Sequence, residues 1–202
     1  MNDILEGYAA AATPSLIARY DAVDPGELYA PVLDLLPRTP ARVADIGAGT
    51  GRDAAWFARQ GHVVLAVEPV AELREPGKSL HSAEAITWLD DRLPSLAKTQ
   101  MHGPFGLVTL SGVWQHIDDA EREIAMAALG RMTVTDGLLV MSLRHGPGAS
   151  GRRAFPVSPN DTIEAAGRSG FGLLRQTEAR SIQPGNQAMG VRWTWLAFEK
   201  SP

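Results

Sequence analysis

Cysteine is absent from all 202 residues, which removes disulfides, thiolate metal sites and cysteine nucleophiles from consideration at once. The first 18 residues carry no lysine or arginine, include Asp3 and Glu6, and lack a continuous apolar core. They read as neither a signal peptide nor a membrane span, so a soluble, cytoplasmic protein is the expectation. Basic residues are not in surplus either. The formal net charge of −4 offers no broad face for phosphates, and bulk nucleic acid is not an expected partner. There is no internal repeat and no low-complexity tract. The length fits one domain, or one with a modest N-terminal extension, and suffices for a proper core.

What is present is an alternation of strand-like and helix-like apolar periods, the pattern of a parallel sheet joined by helices. Residues 2 to about 20 are Ala-rich and helical in character, divided by Pro14. Asp24-Pro25-Gly26-Glu27 reads as an N-cap, a first-turn proline and a capping-box glutamate, opening a helix expected to end near Pro37. Strands are expected near 42–46, 62–67, 85–88 and 106–111, with Pro69 and Pro76 keeping the helix after the second one short. A helix from about Asp118 to Met132 has Ile124, Ala128 and Met132 on one face, and the turn Thr135-Asp136-Gly137 feeds a fifth strand over 138–143. A helix opening at Asp161 ends at Gly170. Two final strands, near 172–177 and 191–199, are joined by a loop too short for a crossover helix and should pair antiparallel.

The most informative stretch is Val43-Ala44-Asp45-Ile46-Gly47-Ala48-Gly49-Thr50-Gly51, a short apolar strand running into three glycines at alternate positions. A helical segment starting at Arg52-Asp53 follows, then a second strand ending on Glu68. Side-chain-free positions at a strand-to-helix turn let backbone and ligand approach closely, and the helix start offers unpaired N–H groups. A carboxylate at the tip of the second strand can accept from both hydroxyls of a ribose. This pattern predicts a nucleoside-cofactor site. A dinucleotide fingerprint would need Gly or Ala where Arg52 stands, and no Tyr-x-x-x-Lys pair exists, which disfavours an NAD(P) oxidoreductase.

Asp45 two positions before Gly47, the three glycines and Glu68 in this order resemble motif I of the class I S-adenosylmethionine (SAM) methyltransferases. Gly51-Arg52-Asp53-Ala54-Ala55-Trp56, Trp88-Leu89-Asp90-Asp91-Arg92-Leu93-Pro94 and Val191-Arg192-Trp193-Thr194 are similar to a bacterial subgroup of small members, from about Arg19 onward. The chain departs from the usual pattern at Gly106, where many members carry Asp, and at Thr135-Asp136-Gly137, where Pro-Gly-Gly is usual. The resemblance implies an α/β, Rossmann-like fold: seven mostly parallel strands with helices on both faces and an antiparallel C-terminal hairpin, strand seven lying between strands five and six. It also implies a helical lid or extension over residues 1–40 and a SAM-binding domain over 41–202. The absence of cysteine excludes the cytosine-C5 and thiol-dependent arsenite types, and Ser111-Gly112-Val113-Trp114 is not the motif of amino-group DNA methyltransferases.

For the cofactor, SAM with S-adenosylhomocysteine (SAH) as product, the resemblance implies Asp45, Gly47, Ala48, Gly49, Gly51, Arg52, Asp53, Glu68, Pro69 and Ser111. Leu89 and Asp90 are assigned to the adenine ring and its amino group, with Asp91 the runner-up. A sulfonium methyl is already activated, so the enzyme must align a nucleophile and remove any proton it carries, without a metal. His116 is the candidate base; a His capping the next helix or bonded to backbone is the alternative. Trp114, Arg144, His145 and Trp193 are candidates for the acceptor, with core packing the alternative for Trp114 and a surface ion pair for Arg144. The expected activity is methyl transfer to an oxygen or nitrogen of a small anionic metabolite. A non-catalytic SAM-binding module is the competing reading.

Overall fold

A computed structural model describes residues 2–202. Seven strands form one sheet in the order β3-β2-β1-β4-β5-β7-β6: β1 (Arg42–Ile46), β2 (Val63–Val67), β3 (Ile86–Leu89), β4 (Phe105–Ser111), β5 (Thr133–His145), β6 (Phe171–Arg180) and β7 (Arg192–Lys200). The first five pair in parallel, while β7 runs antiparallel between β5 and β6, as the resemblance implies. Strand alternation divides the core in two. Val43 and Val64 face one side with Tyr29, Phe57 and Trp195; Ala44, Ile46, Leu65 and Val67 face the other with Met126 and Leu129.

The helices are α1 (Asn2–Ala11), α2 (Pro14–Asp21), α3 (Pro25–Leu28), α4 (Arg52–Arg59), α5 (Ala71–Leu80), α6 (Asp119–Met132), α7 (Pro159–Arg168) and α8 (Pro184–Ala188). Their starts follow side-chain chemistry. Thr13 caps α2 ahead of Pro14, Ser158 caps α7 ahead of Pro159, and a reciprocal Asp118–Glu121 capping box opens α6. No helix among the described residues is long and apolar enough to cross a membrane.

Four expectations need correction. The helix opened by Asp24 stops at Leu28, because Pro31 lacks an N–H and the chain turns to bury Tyr29 and Val32 completely. The α5 helix, which Pro69 and Pro76 were expected to keep short, runs through Pro76 to Leu80. In α6 the buried stripe is Ala125, Met126, Ala128, Leu129 and Met132; Ile124, about 100° around the helix from Ala125, is 54% exposed. The turn before the fifth strand lies inside β5, which begins at Thr133 and carries Asp136 at φ 61° beside a register shift.

Candidate active site

Parallel strands leave their carboxyl ends on one edge, and there the chain encloses a cavity of about 850 Å³. Its floor is the loop after β1. Gly47 and Ala48 donate backbone N–H groups to the Val67 carbonyl at 2.8 and 3.0 Å, tying the loop to the end of β2. A side chain has no room at Gly47, where a Cβ would stand 2.5 Å from the Val113 side chain, nor at Gly51, where it would meet the Trp88 ring at 2.4 Å.

Glu68 is 5% exposed and holds this floor from the side. Gly49 N donates to Oε2 at 2.7 Å and Val70 N to Oε1 at 2.8 Å, so each oxygen has one donor and a lone pair to spare. Burial pushes the Glu68 carboxyl up to about 7, against the pull of those two N–H groups. Asp45, 2% exposed and also on the cavity wall, accepts from Thr109 Oγ1 at 2.9 Å through Oδ1. Its Oδ2 is buried with no partner among the described residues. Burial, reinforced by Asp53, raises its pKa as well. An orphaned buried carboxylate oxygen at a cavity wall fits a cationic, hydrogen-bond-donating ligand. Asp53 is satisfied inside the protein, by Arg52 Nε at 2.6 Å and the Tyr29 hydroxyl at 3.2 Å, while Arg52 Nη1 reaches the Tyr20 carbonyl at 3.0 Å.

The adenine assignments do not meet at this cavity. Leu89 ends β3 and Asp90 points outward, its side chain 63% exposed and 3.9 Å from Arg74; neither lines the cavity. Because consecutive residues of an extended chain face opposite sides, it is Asp91 that turns inward. Its carboxylate is already occupied by Arg92 N at 2.9 Å and by Thr99 N and Oγ1, both at 2.7 Å. Gly51 stands behind the loop against Trp88 and likewise lies outside the lining.

At the far end, His116 closes the helical turn Trp114–His116 after β4. Its Nδ1 lies 2.8 Å from the Arg153 carbonyl, which only accepts, so Nδ1 carries the proton and Nε2 is the acceptor in the neutral ring. The Tyr8 hydroxyl donates to Nε2 at 2.8 Å, and Gln115 Nε2 approaches it at 3.2 Å. Burial lowers the His116 pKa, and the nearby Arg152 and Arg144 charges lower it further, against the pull of the Arg153 carbonyl. Trp114 is fully buried in the core and lines no part of the cavity. His145 also lies outside it, bonded across the sheet to Thr194 Oγ1 at 2.8 Å. Ser111, Arg144 and Trp193 do line it, with the Arg144 guanidinium 5.6 Å over the Trp193 ring; no carboxylate among the described residues pairs with Arg144.

Tyr8, Tyr20 and Arg152 also line this end and carry no motif. The Ile4/Tyr8 spacing of one helical turn could have marked an inward face of α1, but nothing in it says what that face meets.

A methyltransferase-domain family model matches residues 19–197. A comparison with curated proteins returned no match. Among similar solved structures is the 1,6-didemethyltoxoflavin-N1-methyltransferase of Burkholderia thailandensis, with 1,6-didemethyltoxoflavin and SAH bound (TM-score 0.66, 18% identity, 86% of this chain and 76% of that one). Others are the magnesium protoporphyrin IX methyltransferase of Synechocystis PCC 6803 with SAM (0.65, 18%, 99% and 83%) and a TehB-like SAM-dependent methyltransferase of Corynebacterium glutamicum (0.65, 22%, 94% and 100%). At these identities the likeness is one of fold. With the family match over most of the chain and the strand order above, the chain belongs to the class I SAM-dependent methyltransferases.

Proposed function

We propose that the protein transfers a methyl group from SAM to an oxygen or nitrogen of a small anionic acceptor. The observation that carries this reading is a single cavity of about 850 Å³ joining the buried Asp45 and Glu68 carboxylates to His116 and Arg144. That volume lies near the upper end of single-ligand pockets, which run to about 1,000 Å³, and suits a cofactor and an acceptor side by side.

Glu68 holds the cofactor's ribose hydroxyls with the oxygen lone pairs left over from Gly49 and Val70, and the free Oδ2 of Asp45 takes a cationic group of its amino-acid part. Gly47, Ala48, Gly49, Pro69 and Ser111 shape the same wall. Bound there, SAM supplies an activated sulfonium methyl. His116 receives the acceptor's proton. Since Nε2 already accepts from Tyr8, the proton passes through that phenol: Tyr8 gives its hydrogen to Nε2 and takes the acceptor's in return. Residues 1–40 serve as a lid over the 41–202 domain, and α1 and α2 exclude water by covering the cavity with Ile4, Tyr8, Leu16 and Tyr20.

Calorimetry with SAM, SAH and NAD tests the reading. Binding of SAM and SAH, with negligible binding of NAD, is expected; tight NAD binding without SAM overturns it. Release of SAH in an acceptor screen then separates an enzyme from a non-catalytic SAM-binding module.

A further inference from the structure

Of the arginines that line the cavity, Arg144 and Arg152 differ in what they have left to offer. Arg144 is committed within the protein. Its Nε and Nη2 donate to the Pro147 carbonyl at 3.3 and 2.9 Å, and its Nη1 and Nη2 to Asn186 Oδ1 at 3.2 and 3.3 Å. That guanidinium fastens the loop after β5 to α8. Arg152 makes one side-chain hydrogen bond, from Nη1 to the Tyr20 hydroxyl at 2.8 Å, and lies 5.1 Å over the Tyr8 ring. Its Nε is buried without a partner, and no carboxylate pairs with it among the described residues.

Nε and Nη2 form one edge of a guanidinium, the edge that meets the two oxygens of a carboxylate or phosphate in parallel. In Arg152 that edge makes no hydrogen bond among the described residues, although the residue lines the cavity. A role limited to fastening the N-terminal helices accounts for the Tyr20 bond and the Tyr8 stack, but leaves this edge idle and a buried donor unsatisfied. Apolar groups line the cavity as well, among them Trp193, Ile182 and Met189, beside polar ones such as Gln115 and Gln183.

We propose that Arg152 is the anchor for an oxyanion group, a carboxylate or a phosphate, on a molecule with a small apolar body, and that Arg144 is a positioning residue behind it. That the bound acid is the methyl acceptor rests on the function proposed above; the anion site itself does not.

The test titrates the full-length protein with benzoate, phenyl phosphate and neutral benzamide by calorimetry, with and without SAH. One of the two acids binds and benzamide does not; which acid binds tells carboxylate from phosphate. Arg152→Gln weakens that acid by about tenfold or more, Arg144→Gln by less than about threefold, and SAH affinity stays within about twofold in both. Arg152→Lys, which keeps the charge and loses the fork, recovers only part of the loss. Thermal melts of the variants verify that each is folded. The proposal is overturned if neither acid binds the wild type, if folded Arg152→Gln binds like wild type, or if Arg144→Gln has the larger effect. Acid binding that behaves as expected in a protein that ignores SAH leaves the anion site standing and removes the methyltransferase reading. SAH binding without acid binding does the reverse.

Discussion

At the glycine-loop end of the cavity, the backbone N–H groups of Gly49 and Val70 grip Glu68, whereas at the acceptor end side chains from distant segments grip one another. The first arrangement links residues 47–49 to 67–70 across adjacent strands. The second brings Tyr8 to His116, Tyr20 to Arg152 and Arg144 to Asn186, each across more than 40 positions of sequence. The difference is one of robustness. A backbone-tied floor survives most side-chain changes, while an end made of side-chain bonds between segments depends on every segment being seated.

Four experiments break or sharpen this contrast. The largest effect is expected at the acceptor end. With an acceptor in hand, His116→Ala should lower turnover by roughly 10²- to 10⁴-fold while SAM affinity stays near wild type. Because the His116 pKa lies below 6.5, the wild-type rate should fall on the acid side of that value as the ring protonates, and the variant should lose that limb. Tyr8→Phe should shift the rate the same way by less. A pH–rate profile unchanged in both variants would return the pair to a structural role.

Next comes the opposite end. Glu68→Ala removes the charge-assisted acceptor for the ribose and leaves Gly49 N and Val70 N without their partner. A loss of roughly 2–3 kcal/mol in SAM binding is expected, about 30- to 150-fold, with a lower melting temperature. Calorimetry and a thermal melt check both. Wild-type affinity in a folded variant would mean that Glu68 serves the loop alone.

Gly7→Ala tests the seating itself. Alanine should favour a helix interior by up to about 1 kcal/mol, but here its Cβ would stand 1.7 Å from the Gly151 carbonyl oxygen. Displacement of α1 should therefore destabilise the protein by about 1–3 kcal/mol, speed amide exchange over residues 2–11, and weaken SAH binding to the extent that SAH holds the lid seated. In the wild type, SAH should slow exchange before Asp24. A raised melting temperature in Gly7→Ala, or exchange indifferent to SAH, would count against a seated lid.

The fourth test is a pH slope. Glu68 holds its proton more tightly folded, with a pKa of about 7 against 4.5. Ligand-free stability from this group is therefore fully present below 4.5 and lost as pH rises to about 7, and Asp45 acts in the same direction. SAM affinity should run the other way over the same window, since ionised carboxylates favour a cationic ligand. Melting temperatures and calorimetry across that range check both signs, and Glu68→Gln should remove its share of each.

That Asp45, the loop from Gly47 to Gly49 and Glu68 meet at one cavity wall was legible because a strand-to-helix turn and the tip of the neighbouring strand are local events that chain order brings together. The strands and helices were legible because apolar periods of 2 and 3.6 record which face of each element is buried, and the antiparallel hairpin because the loop between its strands is too short for a crossover helix. Misreadings came where one residue's rotation decides the outcome. Asp90 and Asp91 are neighbours on an extended chain and face opposite ways, and Trp114 sits one side-chain direction away from the cavity lined by Val113 and Gln115. Only the tertiary structure could pair Tyr8 with His116, occupy Arg144 with Asn186, and leave the Nε–Nη2 edge of Arg152 without an acceptor. Those relations depend on how separate segments dock, and a hydrogen bond between residues more than 100 positions apart leaves no spacing in the sequence from which to read it.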